Sequence, residues 1–174
     1  ICRRVVVVII VFVIIIILSC KKKEEIPTPA DPVEIAISVL AENLSQPWEI
    51  LWGKDNHIWM TERGGKISKI NPATGAIVFS ATIPDVVSNG EGGMLGMVQH
   101  QDFLNNGLFY VAYNYNSGGN YLEKLVQMKF ENNGLQTVST LIQNIPASGI
   151  HNGARLWISN DATPFIFMTT GDAS

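Results

Sequence analysis

Three stretches of the chain follow one plan. LWGKDNHIWMTE (51–62), VQHQDFLNNGLFYVAY (98–113) and WISNDATPFIFMTTG (157–171) each run apolar strand, polar turn with Asp or Asn, apolar strand. Around them lie further short runs of β-branched and aromatic residues broken by Asn, Asp and Gly, the marks of strands and turns. No amphipathic helical period stands out. Four strands are predicted at 48–52, 57–62, 65–71 and 76–83, and four more at 93–100, 108–115, 123–131 and 138–145. A third set begins with 152–159 and 165–171. Gly53-Lys54-Asp55-Asn56 and Pro72-Ala73-Thr74-Gly75 supply turn chemistry between strands of the first set. Self-similar four-strand units recurring about every 40–60 residues predict an all-β fold, a β-propeller. A β-sandwich also alternates strands and turns but needs no repeated motif, and it is the competing architecture. Only about two and a half blades are counted, whereas propellers close with about four to eight. Most of the domain is therefore expected beyond Ser174, and a chain that opens on Ile1 rather than Met and stops at Ser174 just after an apolar run is expected to be incomplete at both ends.

The N-terminal region reads differently. Arg3 and Arg4 precede fourteen apolar residues, Val5 to Leu18. That is short for a bilayer span and suits the h-region of a signal peptide. The run ends Leu18-Ser19-Cys20, which resembles the lipobox of bacterial lipoproteins, where the cysteine is lipidated and becomes the mature N-terminus. A signal peptide at 1–20 and lipidation at Cys20 are therefore expected. They imply an exported lipoprotein held to the membrane by its N-terminal lipid, periplasmic or at the outer membrane or cell surface. The alternative is an anchor or buried helix with an incidental cysteine. Residues 21–34, KKKEEIPTPADPVE, carry charges and prolines at 27, 29 and 32, cannot build a core, and read as a flexible tether. The folded part, 35–174, has seven Lys/Arg against eleven Asp/Glu, a net charge of −4, and no basic cluster. That argues against nucleic acid as a partner. Cys2 and Cys20 both lie in the targeting region, so no disulfide or thiolate metal site is expected in the folded part.

In a propeller the innermost strand of each blade lines a central channel, and the loops entering those strands open on one face. Three such loops are Gln46-Pro47-Trp48-Glu49, Asn89-Gly90-Glu91-Gly92-Gly93 and Gly149-Ile150-His151-Asn152-Gly153. Trp48, Glu49, Glu91 and His151 are therefore expected on one rim, with Arg63 approaching the channel. Neighbouring glycines let backbone come close to a ligand, and polar groups around an apolar funnel make a binding site. His151 suits general-base work near neutral pH; a turn residue without chemistry is the plain alternative. A carboxylate nearby, such as Glu91, would favour the imidazolium and raise its pKa. His57 and His100 read as structural, His100 with Asp102 capping a turn. Glu62 with Arg63 reads as a surface ion pair. Trp52, Trp59, Phe109, Tyr110, Phe165 and Phe167 read mainly as packing between blades. No residue is assigned to a metal.

With these residues placed, PWEILWGKDNHIWMTERGGKISKINPATG, GEGGMLGMVQHQDF and HNGARLWISND followed by MTTGD carry a resemblance. From about Leu40 to its last residues the chain resembles the soluble PQQ-dependent glucose/aldose sugar dehydrogenases, the glucose/sorbosone dehydrogenase family. The resemblance implies a six-bladed propeller, pyrroloquinoline quinone (PQQ) with Ca²⁺, and oxidation of aldoses to lactones with an external electron acceptor. The main quinone and calcium ligands are expected beyond residue 174. It also implies that His151, from the H-N-G-x-R-L motif, is the general base. It would take the proton of the anomeric hydroxyl while hydride passes to the quinone. Arg155 and Leu156 complete that motif and secure the strand. Glu91 fits the family's E-G-G-L-L-G pattern, read here as Glu91-Gly92-Gly93-Met94-Leu95-Gly96. The best-known glucose enzymes carry Gln at that place and Asp where this chain has Ile150, which implies a wider aldose range. Two other functions compete. One is a non-catalytic propeller that binds carbohydrate or protein. The other is a lactone-hydrolysing propeller, which needs a carboxylate-rich metal centre for which only Glu49 and Glu91 are candidates.

Overall fold

The computed structural model describes residues 35–173; the signal peptide, Cys20 and the tether fall in 1–34, outside the described residues. Regular structure begins with a four-stranded antiparallel sheet, β1 (Pro47–Trp52), β2 (Ile58–Glu62), β3 (Lys66–Ile70) and β4 (Ile77–Thr82), paired in chain order. A second sheet repeats the plan with β5 (Met94–Gln99), β6 (Leu108–Ser117), β7 (Asn120–Glu131) and β8 (Gly134–Pro146). A third begins with β9 (Gly153–Ile158) paired to β10 (Ile166–Thr170). All ten predicted strands are present.

The second sheet is longer than the sequence pattern suggests, and its turns explain why. Gly118 and Gly119 have φ of 57° and 79°, and Asn132 and Asn133 have 53° and 54°. Two successive left-handed residues make a two-residue hairpin turn whose twist matches the strands it joins. β6 and β7 therefore pair down to Ser117 and Asn120, and β7 and β8 down to Glu131 and Gly134. A short helix, α1 (Phe103–Asn106), interrupts the β5–β6 connection and stops at Gly107, whose N–H returns to the Phe103 carbonyl. One turn of helix is too brief to leave a readable period, so the sequence pattern did not announce it.

The core follows the alternation of β6. Phe109, Val111, Tyr113 and Tyr115 pack on Trp59 and Ile67 of the first sheet. Tyr110 and Ala112 point the other way, onto Ala154 and Leu156 of β9. Each such fully buried side chain contributes about 1.5–3 kcal/mol relative to exposure. The second sheet is thus covered on both faces, and β5 lies beside β1 on one side and β9 on the other. Inner strands side by side, with four-stranded sheets fanning outward, make a partial β-propeller: two blades and the inner half of a third. Trp59, Phe109 and Tyr110 do pack between blades, whereas Trp52, Phe165 and Phe167 are exposed on faces that no described strand covers.

Candidate functional site

The loops that enter β5 and β9 are tied to each other. The Glu91 N–H donates to the Gly149 carbonyl at 2.7 Å, and Glu91 Oε2 accepts the His151 backbone N–H at 3.1 Å. Arg63, in the β2–β3 turn, reaches the same place: it donates to the Gly90 carbonyl and, through Nε, to Gln46 Oε1 at 3.2 Å. Arg63, Glu91 and His151, far apart in sequence, therefore meet around one pair of loops. Arg63 does not pair with Glu62. Glu62 is buried, holding Lys66 Nζ and the Ser45 N–H at 2.7 Å each. β2 ends at Glu62, whose side chain is buried, and Arg63 already belongs to the turn, so adjacency in sequence did not bring the two charges together.

The His151 backbone is in the left-handed region, φ 57°, which is uncommon for a residue with a side chain. Its surroundings hold it there. Gly171 presses against the His151 carbonyl, where a Cβ would collide, and donates its N–H to the Asn152 carbonyl at 3.1 Å. Asn152 is buried and clamps the loop from within: Nδ2 donates to the Ser148 carbonyl at 2.8 Å and Oδ1 accepts the Ser148 N–H at 3.1 Å. A strained turn kept by several neighbours is the kind of feature found at functional sites.

The carboxylate at the imidazole is not Glu91 but Asp172. Its Oδ1 stands 3.2 Å from His151 Nδ1, while Glu91 fixes the backbone of the same residue. The two side chains are 57% and 67% exposed, so the pair contributes at most about 1 kcal/mol to stability; what it sets is ring orientation. Sequence reasoning missed Asp172. The available signal was its position just after β10, because the pairing of Thr170 with Gly153 returns the end of β10 to the start of β9. His151, Gly153, Thr170, Gly171 and Asp172 line an open depression at this point.

Glu49 occupies a different position. Its N–H donates to Thr61 Oγ1 at 3.0 Å, and its buried carboxylate accepts Arg155 Nη1 at 2.7 and 2.6 Å. Arg155 thus spans from β9 to β1, the inner strands that flank β5, and does more than secure its own strand. Trp48 is exposed, one residue earlier and on the other side of β1. Among the described residues no hydrogen bond or ion pair joins Trp48 or Glu49 to His151. His57 and His100 serve local turns: His57 Nδ1 faces the Asp55 carbonyl at 2.8 Å, and His100 Nδ1 accepts the Asp102 N–H at 3.0 Å. A more enclosed hollow, lined by residues including Asp55, Lys69, Phe103 and Phe130, lies at the opposite end of the blades. There burial raises the Asp55 carboxyl, but the Lys69 ammonium and the Trp59 N–H outweigh it and hold the pKa below its usual value.

The sequence model of the glucose/sorbosone dehydrogenase family matches residues 44–174. The chain belongs to this family. Among curated relatives it is similar to quinoprotein glucose dehydrogenase B of Acinetobacter calcoaceticus, 32% identical over 158 residues, covering 77% of this chain and 30% of the relative. Aldose sugar dehydrogenase YliI of Escherichia coli K12 is 26% identical over 149 residues, covering 82% and 40%. The chain thus spans between 30% and 40% of the length of these glucose/sorbosone dehydrogenase relatives. Among solved structures, the PQQ-bound aldose sugar dehydrogenase of Streptomyces coelicolor shares the fold with a TM-score of 0.66 at 23% identity, over 79% of this chain and 41% of that one. The apo-form aldose sugar dehydrogenase of Escherichia coli aligns with a TM-score of 0.62 at 25% identity, over 78% and 40%.

Proposed function

We propose that this chain forms the base-bearing part of a PQQ-dependent aldose dehydrogenase, and that His151 is the base. One observation carries the reading: an exposed imidazole at the lip of an open depression, with Nδ1 turned to Asp172 and the backbone N–H held by Glu91. Donation of Nδ1–H to Asp172 sets the tautomer and leaves the lone pair on Nε2. Nε2 then removes the proton of a sugar's anomeric hydroxyl, and the Asp172 carboxylate favours the imidazolium that results. Gly153 and Gly171 let the β9 and β10 backbones close on each other beside the imidazole, since a Cβ on either would strike that backbone. PQQ, when bound, supplies the two-electron acceptor for the anomeric hydride.

The residues present fit a quinone only at its edge. Arg63, which donates to the Gly90 carbonyl beside the loops of Glu91 and His151, is the cation at this place that would meet the cofactor's carboxylates. For calcium, no group of three His, Cys, Asp or Glu side chains gathers among the described residues. Its ligands and the main quinone contacts belong, in this reading, beyond residue 174, as do the remaining blades. The N-terminal reading is part of the same proposal: export, lipidation at Cys20 and a membrane-attached dehydrogenase that passes electrons to an external acceptor.

The test is sugar-dependent dye reduction by the full-length protein supplied with PQQ and Ca²⁺, across a panel of aldoses. Turnover that requires both quinone and aldose supports the proposal. A protein that binds sugar but reduces no dye at any quinone supply is instead a non-catalytic carbohydrate-binding propeller.

A further inference from the structure

Beneath the loop that carries Glu91 lies a polar floor contributed by β6 and β7. Asn114 grips both ends of that loop. Its Oδ1 accepts the Gly93 N–H at 2.9 Å, its N–H donates to the Gly93 carbonyl at 2.9 Å, and its carbonyl accepts the Val87 N–H at 2.9 Å. The Tyr121 hydroxyl adds a bond to the Val87 carbonyl at 3.1 Å. A Cβ at Gly92 would press on the Tyr121 hydroxyl and crowd Asn114 Oδ1 and Asn152 Nδ2. Directly opposite Asn114 in the β6–β7 register stands Glu123, only 1% exposed. No other partner reaches Asn114 Nδ2 or either Glu123 oxygen, all of them buried, and the Asn114 side chain is the hydrogen-bonding neighbour of the Glu123 carboxyl. Burial pushes the Glu123 carboxyl up to about 7, and the Asn114 amide pulls it partly back down. Nothing in the sugar chemistry derived above uses this buried acid.

An amide has a donor end and an acceptor end, so whatever faces Nδ2 decides which end faces Gly93. Rotated by half a turn, Asn114 would set Nδ2 against the Gly93 N–H, donor against donor. A buried donor left without an acceptor costs about 1–3 kcal/mol. We propose that Glu123 is a positioning residue for aldose oxidation: its carboxyl oxygen is the acceptor that keeps Asn114 Oδ1 on the Gly93 N–H. It thereby holds the loop that presents Glu91 to the His151 backbone. The proposal rests on the reading of His151 as the base. Because a carboxyl offers an acceptor whether or not it is protonated, and a glutamine amide offers one too, the role belongs to the acceptor and not to the charge.

Two variants of the full-length protein separate these possibilities: Glu123→Gln keeps an acceptor at nearly the same volume, and Glu123→Met removes it. Amide exchange over 87–93, read without sugar or cofactor, and kcat and KM for aldose oxidation are compared with the parent. Glu123→Gln should match the parent in both. Glu123→Met should speed exchange of the Gly93 N–H about ten-fold or more, the signature of local opening, and lower kcat with KM nearly unchanged. Unaltered exchange in Glu123→Met overturns the proposal. So does a Glu123→Gln variant with a loosened loop, and that result decides alone if the Met variant fails to fold. Because exchange is read on the apoprotein, a parent that oxidises no aldose would sink the catalytic reading while the loop measurement still decides the clamp.

Discussion

Replacing Glu123 by glutamine isolates a single buried titration. The carboxyl is 1% exposed, and burial raises it from an ordinary 4.5 to about 7, with the Asn114 amide offsetting part of the rise. The folded state therefore binds the proton more tightly than the unfolded chain between those two values. Stability contributed by the neutral form is fully present below the unfolded pKa and is lost as pH rises through the folded one. At 1.36 kcal/mol per unit, the loss is about 3 kcal/mol across the window. The titratable neighbour on the same face, Tyr121, is pushed up chiefly by burial, with the Asn89 backbone opposing, Glu123 adding and Arg63 opposing, so it stays neutral throughout. Urea unfolding of parent and Glu123→Gln at about pH 4.5 and about pH 7.5 cancels every group the two proteins share. The glutamine variant should gain on the parent by about 3 kcal/mol between the acid and the alkaline condition. A difference that stays flat, or that moves against glutamine as pH rises, would refute the assignment of a neutral buried acid.

The other expectations are smaller in scale. Asp172→Ala should lower kcat for aldose oxidation with KM nearly unchanged, because His151 Nδ1 loses the partner that orients the ring; an unchanged kcat would separate Asp172 from the base. Cys20→Ser should release the protein from the membrane fraction when cells are broken, and a variant that sediments with membranes as the parent does would end the lipobox reading. Residues 35–174 expressed alone should reduce no dye and should self-associate on sedimentation, because β10 leaves an edge and Trp157, Phe165 and Phe167 leave an apolar face uncovered; a monomeric fragment that turns over sugar would contradict the partial propeller.

The strands were legible because each carries its own evidence: a β-branched or aromatic run closed by Asn, Asp or Gly. Their grouping was legible because the run–turn–run plan recurs. What the sequence hid is contact across blades. Asp172 and Glu91 both lie near His151, but only the β9–β10 register decides that Asp172 meets the ring and Glu91 the backbone. Arg155 and Glu49 are separated by 106 positions and meet only because their strands are neighbours of β5. Glu123 looked like one more polar residue in an alternating strand, and only the folded sheet shows it buried opposite Asn114. The Glu62–Arg63 misreading has the same origin, since charge adjacency in sequence carries no face information until the strand end is known. Gly118-Gly119 and Asn132-Asn133 were readable in principle as tight hairpin turns, and weighing them would have lengthened β6, β7 and β8.

The central claim is that His151 is the base, and one comparison meets it most directly. In the full-length protein loaded with PQQ and Ca²⁺, the single-turnover rate of quinone reduction by an aldose is measured for the parent and for His151→Ala, with quinone binding titrated in both. If His151 is the base, quinone binding is unchanged and the rate falls by about 10²–10⁴-fold, the range for removal of a positioned base. A His151→Ala protein that binds quinone as the parent does and reduces it within a few-fold of the parent rate would leave His151 a turn residue.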